Sequence, residues 1–204
     1  MKNPILTVFA AIVLMGCKKN ETATTADQSA DSRIGTASDS SALKVNDSTT
    51  IPGSPETAGT LSDQDKKFAD AAARGGMMEV MMGELAGRNA ANASVKKLGE
   101  MMVKDHTKAN DELKKWASDM GYTLPAALAA DQQKKYEDLK AKNRADFDRS
   151  YTELMVSDHK KDIEEFKKQA SEGKETSLKT FAGKTLPTLE HHLMESEKTK
   201  NAVK

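Results

Sequence analysis

Four histidines are the side chains of this chain best equipped for chemistry. Two of them close a phrase that occurs twice, Met102-Val103-Lys104-Asp105-His106 and Met155-Val156-Ser157-Asp158-His159, and the other two are adjacent, His191 and His192. Imidazole suits zinc, iron and copper, and carboxylate extends the choice to manganese. His106, His159 and His192 together with Glu79 would make one ligand set for such an ion. The spacing of His192 from Leu189 and Thr185 selects it over His191 as the inward member of the pair. A di-iron centre built into a helical bundle requires Glu-x-x-His on two helices. Here the residues three before His106, His159, His191 and His192 are Val103, Val156, Thr188 and Leu189, which argues against a bridged pair of irons. Asp105 and Asp158 stand about 100° round a helix from the histidines that follow them. They are expected to pair with Lys108 or Lys161, or to bond a neighbouring helix, rather than share the metal. No Ser-His-Asp arrangement or glycine-rich phosphate loop is evident, and no cysteine is left for catalysis, so nothing in the sequence asks for a hydrolase.

Helices must position these groups. Ala, Lys, Glu, Leu and Met dominate over β-branched and aromatic residues, and no stretch alternates with the period of a strand. Ser62 or Asp63 caps a first helix whose inward stripe is Phe68, Ala72, Gly75, Glu79, Met82, Ala86 and Asn89. Gly83 and Gly87, one turn apart, predict close approach by a neighbour, and Asn89 to Ser94 reads as a turn. A second helix follows to Met120 with the stripe Val95, Leu98, Met102, His106, Ala109, Leu113 and Trp116, and Gly121 is its natural stop. Residues 126–145 are helical by propensity but thinly apolar, with Leu128, Tyr136 and Leu139 as anchors, and read as a connection lying on the surface. Phe147, Tyr151, Met155, His159, Ile163 and Phe166 form a third strong stripe ending near Gly173. In the last segment, Leu178 to Ser196, Pro187 must kink the helix or begin a new one. The architecture predicted is all-α, a four-helix bundle with a long helical crossover between core helices 2 and 3; the alternative, a simple up-down-up-down bundle, leaves residues 126–145 hard to place.

Counting from the turns gives the depth of each polar residue. Glu79 and His106 lie at matched distances on either side of the first turn, and His159 and His192 flank the turn at Gly173. At ~1.5 Å of rise per residue, such partners meet at one height. Met77, Met78, Met81, Met82, Met101, Met102, Met155 and Met194 cluster at the same level. Their thioethers would suit copper, but filling an irregular core is the simpler role.

The beginning of the chain reads as an address. Lys2, the apolar run Ile5 to Met15 and the small Gly16 have the form of an export signal, too short to span a bilayer. Leu14-Met15-Gly16-Cys17 resembles the lipobox of bacterial lipoproteins, which implies a signal peptide at 1–16 and a lipidated Cys17. With one cysteine, no disulfide can form within the chain. Residues 17–61, rich in Ser, Thr, Asp and Ala, lack the apolar surface to offset ordering entropy and read as a tether spanning about 35–40 Å. The bundle is assigned to 62–204. Lysine plus arginine equal aspartate plus glutamate, 31 to 31, which leaves no electrostatic footprint for nucleic acid. The membrane, reached through the lipid, is the expected partner. The cell envelope is the expected location, at the outer membrane facing periplasm or cell surface.

Several of these phrases together resemble one family. Gly75-Gly76-Met77 with Glu79-Val80, Gly83-x-Leu85-Ala86, Met102-Val103-x-Asp105-His106, Phe147-Asp148-x-x-Tyr151, Met155-Val156-x-Asp158-His159 and Leu186-Pro187-x-Leu189-x-x-His192-Leu193 are similar to motifs of domain-of-unknown-function family 4142. The resemblance covers roughly Asp63 to Ala202. It implies an exported, ferritin-like four-helix protein and brings no established activity. Glu79, His106, His159 and His192 fall on its motif positions.

The expectation is therefore a lipid-anchored envelope protein that binds a metal ion, iron, zinc, manganese or copper, for stress or metal handling. The rival is a structural or protein-interaction module whose histidines knit the core by hydrogen bonds, without metal or catalysis. A mononuclear redox enzyme is a third reading, and it requires an open coordination position reachable from solvent.

Overall fold

A computed structural model describes residues 61–204. The expected signal peptide, Cys17 and the tether up to residue 60 lie outside the described residues. Five helices follow one another: α1 (Asp63–Asn89), α2 (Ala93–Asp119), α3 (Ala130–Lys140), α4 (Arg144–Glu172) and α5 (Thr176–Ala202). Among the described residues there is no strand, and no helix is long and apolar enough to cross a membrane.

Local chemistry sets the helix ends. The Ser62 side chain accepts the Asp65 N–H at the start of α1, and Asn92 does the same for Ser94 at the start of α2. Helix α2 stops at Gly121, whose φ of +63° is the left-handed conformation glycine adopts freely. The Tyr122 N–H then reaches back to the Ala117 carbonyl and the Gly121 N–H to that of Ser118, closing the end of the helix. Helix α5 is one continuous helix through Pro187, so the proline does not begin a new one. The carbonyl it deprives of a partner is that of Gly183, and both residues are exposed, so water can take the missing donor's place.

Helices α1, α2, α4 and α5 form a ferritin-like bundle, with α3 as the crossover. Asn89 at the end of α1 donates to the carbonyl of Lys142, so α4 begins beside the α1–α2 turn. Trp116, near the end of α2, donates to Glu175 at the start of α5. Helices α2 and α4 therefore run the same way, and α1 and α5 run opposite to them. The chain needs α3 to return from the foot of α2 to the head of α4. Leu139 of α3 is buried, and Leu128 and Tyr136 pack beside it.

Two carboxylates tie the α1–α2 hairpin to the α4–α5 hairpin. Asp148 of α4 accepts the N–H groups of Ala91 and Asn92 in the α1–α2 turn, at 3.1 and 2.9 Å. Asp65 of α1 accepts those of Lys174 and Glu175 in the α4–α5 turn, at 3.1 and 3.3 Å, together with the Gln169 amide at 2.6 Å.

The apolar interior falls into two clusters. One holds Met78, Met82, Leu85, Leu98, Met102, Phe147, Tyr151 and Met155, and the other Phe68, Leu113, Trp116, Phe166, Leu178 and Leu189. Four of the eight methionines expected at one level, Met78, Met82, Met102 and Met155, are buried in the first cluster. Met194 is instead 54% exposed, because it lies two residues from His192 and so on the far side of α5. The close approach predicted for Gly83 and Gly87 occurs only at Gly83, opposite Gly99. A Cβ at Gly83 would stand 2.7 Å from the Gly99 carbonyl oxygen, while one at Gly87 would meet nothing within 4 Å.

Candidate metal centre

Each core helix sends one buried polar side chain into the layer between the two apolar clusters. Glu79 (1% exposed) comes from α1, His106 (6%) from α2, His159 (0%) from α4 and His192 (0%) from α5. The structure brings all four together. Glu79 Oε2 lies 2.9 Å from His106 Nε2, and Glu79 Oε1 lies 3.3 Å from His159 Nδ1. His159 Nε2 and His192 Nδ1 are 3.2 Å apart. One nitrogen from each of the three imidazoles falls within 4.8 Å of the others. His191, next in the chain to His192, is exposed.

Outer partners fix the rings. His159 Nδ1 faces the Met155 carbonyl at 2.9 Å, and His192 Nε2 faces Asp105 Oδ2 at 3.1 Å. Both partners can only accept, so the proton of each neutral ring belongs on that outer nitrogen. His159 Nε2 and His192 Nδ1 are then both lone pairs, pointed at one another across 3.2 Å. Two acceptors cannot bond without a cation between or beside them. The Glu79–His106 contact has a similar defect. It is short but poorly aligned, and Glu79 Oε1 and His106 Nε2 have no hydrogen-bond partner.

Electrostatics favours this state. Burial pushes the Glu79 carboxyl up, but attraction to the protonated forms of His106 and His159 outweighs it and brings the group down to about 2. Burial drives His192 down to about 4, reinforced by His106 and opposed by the Asp105 hydrogen bond. Burial likewise lowers His159, against the pull of Glu79. The centre therefore carries a carboxylate beside at least two imidazoles that resist protonation.

Three neighbours border the layer, and two of them take the second of the readings open to Asp105 and Asp158, a bond to a neighbouring helix. Asp105 bonds His192 on α5 and not Lys108, and Asp158 pairs with Lys135 of α3 at 2.9 Å and not Lys161. In each case the turn of about 100° from the adjacent histidine aims the carboxylate at a neighbouring helix. Lys135, half-exposed on α3, is thus engaged. Asp162 is the third: burial, then the charges of Glu79 and Asp158, raise its carboxyl well above the ordinary range. Its place one turn after His159 was the only signal for it.

An antiparallel four-helix bundle with a helical crossover and a buried layer of one carboxylate and three imidazoles defines the class of protein. The family model described as Domain of unknown function (DUF4142) matches residues 51–199, and the chain belongs to that family. Among solved structures, a DUF305 fragment from Deinococcus radiodurans is similar, with a TM-score of 0.62 at 9% identity, covering 70% of this chain and 98% of its own. CopM in its Cu(II)-bound form is also similar, with a TM-score of 0.58 at 14% identity, covering 68% of this chain and 96% of its own. At such identities the likeness concerns the fold. No curated protein matches the sequence.

Proposed function

We propose that this chain binds one transition-metal ion in its bundle core, through His106, His159 and His192 with Glu79 supplying negative charge. The opposed lone pairs of His159 Nε2 and His192 Nδ1 carry the reading. A zinc–nitrogen distance of ~2.0–2.1 Å with tetrahedral angles gives a nitrogen–nitrogen edge of about 3.3 Å, and this pair already stands at 3.2 Å. His106 has further to close, its nitrogen lying within 4.8 Å of the other two. A carboxylate or carbonyl on the outer nitrogen of each ligating imidazole is the usual support of a metal site. Asp105 supplies it for His192 and the Met155 carbonyl for His159. A purely structural polar layer would instead place a donor opposite each acceptor.

Imidazole and carboxylate suit zinc, iron, manganese and copper, and the likeness to CopM in its Cu(II)-bound form makes copper the first ion to try. The lipobox-like Leu14-Met15-Gly16-Cys17 supports a place in the cell envelope, anchored through lipid on Cys17 and serving metal handling or envelope stress. Protein purified without a tag and reloaded with each ion in turn should hold one equivalent by elemental analysis. His159→Ala and His192→Ala should lose it. Failure of the wild type to retain any ion stoichiometrically would overturn the reading.

A further inference from the structure

A small cavity opens on one side of the imidazole layer. It has about 30 Å³ of room, and its walls include Gly75, Glu79, His106, Ala109, Asn110 and Asp162. By volume it admits a water molecule or a ligand of a few atoms. Two of its wall residues, Glu79 and His106, carry buried polar atoms without a hydrogen-bond partner.

Gly75 gives an independent indication. Glycine in a helix interior costs about 1 kcal/mol relative to alanine. At Gly76 that cost has a reason in packing, since a Cβ there would run into the Asn110 side chain. At Gly75 it has none, because a Cβ would meet nothing within 4 Å. What the missing methyl leaves is open space at the wall of this cavity. Ala109, one turn after His106, keeps the facing wall low as well.

We propose that the cavity is the binding pocket for an exchangeable lone-pair donor, such as water or a small anion, on the metal. This rests on the metal reading above and specifies what that site takes besides the ion. Three imidazoles and one carboxylate leave a divalent ion with a net positive charge, which attracts an anion. Met82, Met102 and Met155 of the first apolar cluster, one turn from Glu79, His106 and His159, lie on the far side of the layer, so the cavity wall is where such a donor approaches.

Azide is a suitable probe, with Cu(II) or Co(II) as the bound ion. Metal-loaded wild-type protein should show a saturable change in its visible spectrum on titration with azide. Gly75→Ala, which helix propensity favours, and Ala109→Leu should keep the metal and weaken azide binding, Ala109→Leu by about tenfold or more. A loaded wild type whose spectrum ignores azide would overturn the pocket while leaving metal binding intact. So would two folded, loaded variants that bind azide as the wild type does. Protein that takes up no metal at all would overturn both proposals.

Discussion

Each of the two innermost imidazoles has one nitrogen committed outward and one turned inward, and that division makes single residues separable by experiment. Removing the outward partner by Asp105→Asn should leave the bundle folded and weaken metal binding about 10–100-fold, measured by competition with a chelator. His191→Ala should leave metal content unchanged, because that ring is exposed. Proton linkage gives a further prediction. His192 is held at about 4 in the folded chain, below the ordinary histidine value of 6.5, so the unfolded chain binds more protons between those limits. Stability is then full above about pH 6.5 and falls as pH drops towards 4, by about 3 kcal/mol if the group acted alone. His159 shifts in the same direction. Glu79, lowered from 4.5 to about 2, extends the loss below pH 4.5. Urea unfolding of metal-free protein across this range should show a monotonic decline on acidification, and a flat profile from pH 7 to 4 would contradict the burial of neutral imidazoles.

At the scale of the helices, the close passage of α1 and α2 is set by Gly83 against Gly99, since each carbonyl stands where the other residue's Cβ would go. Gly83→Ala gains about 1 kcal/mol of helix propensity but drives a methyl against a backbone carbonyl that cannot rotate away. It should lower the urea midpoint, whereas Gly87→Ala, facing open space, should raise it. Asp65→Ala removes the acceptor for two backbone N–H groups and the Gln169 amide in a buried position, and should cost about 2–4 kcal/mol. The same scale shows what a sequence can reveal. The stripes of α1, α2 and α4 were legible because inward residues recur at the helical period. The common height of Glu79, His106, His159 and His192 was legible because equal offsets from a turn mean equal depth. A bond from Asp105 and Asp158 to a neighbouring helix was among the readings, but the particular partner was not legible, since it depends on how α5 and α3 are rotated against their neighbours. The passage of α5 through Pro187 was undecided for a related reason, because it turns on whether the Gly183 carbonyl faces water. Nor could the sequence show that Asp162 borders a cavity, which is a property of all four walls.

Over the whole molecule, two hairpins of similar build are laid together by a crossover that makes α2 and α4 run the same way. Their pairing is reciprocal. Asp65 near the start of α1 holds the α4–α5 turn, and Asp148 near the start of α4 holds the α1–α2 turn. The correspondence continues inward, since Asp162 follows Asp148 by the same interval as Glu79 follows Asp65. This places an acidic residue of each hairpin near the central layer, only one of which is held well below the ordinary carboxylate range. Because α1 and α4 are antiparallel, the two clips sit at opposite poles of the bundle with the imidazole layer between them. Either one, released alone, leaves the other in place. The two apolar clusters, each drawn from both hairpins, would still hold the bundle, with the loss felt first at the freed pole. The polar layer at mid-height is thus the part of the interior most remote from either fastening.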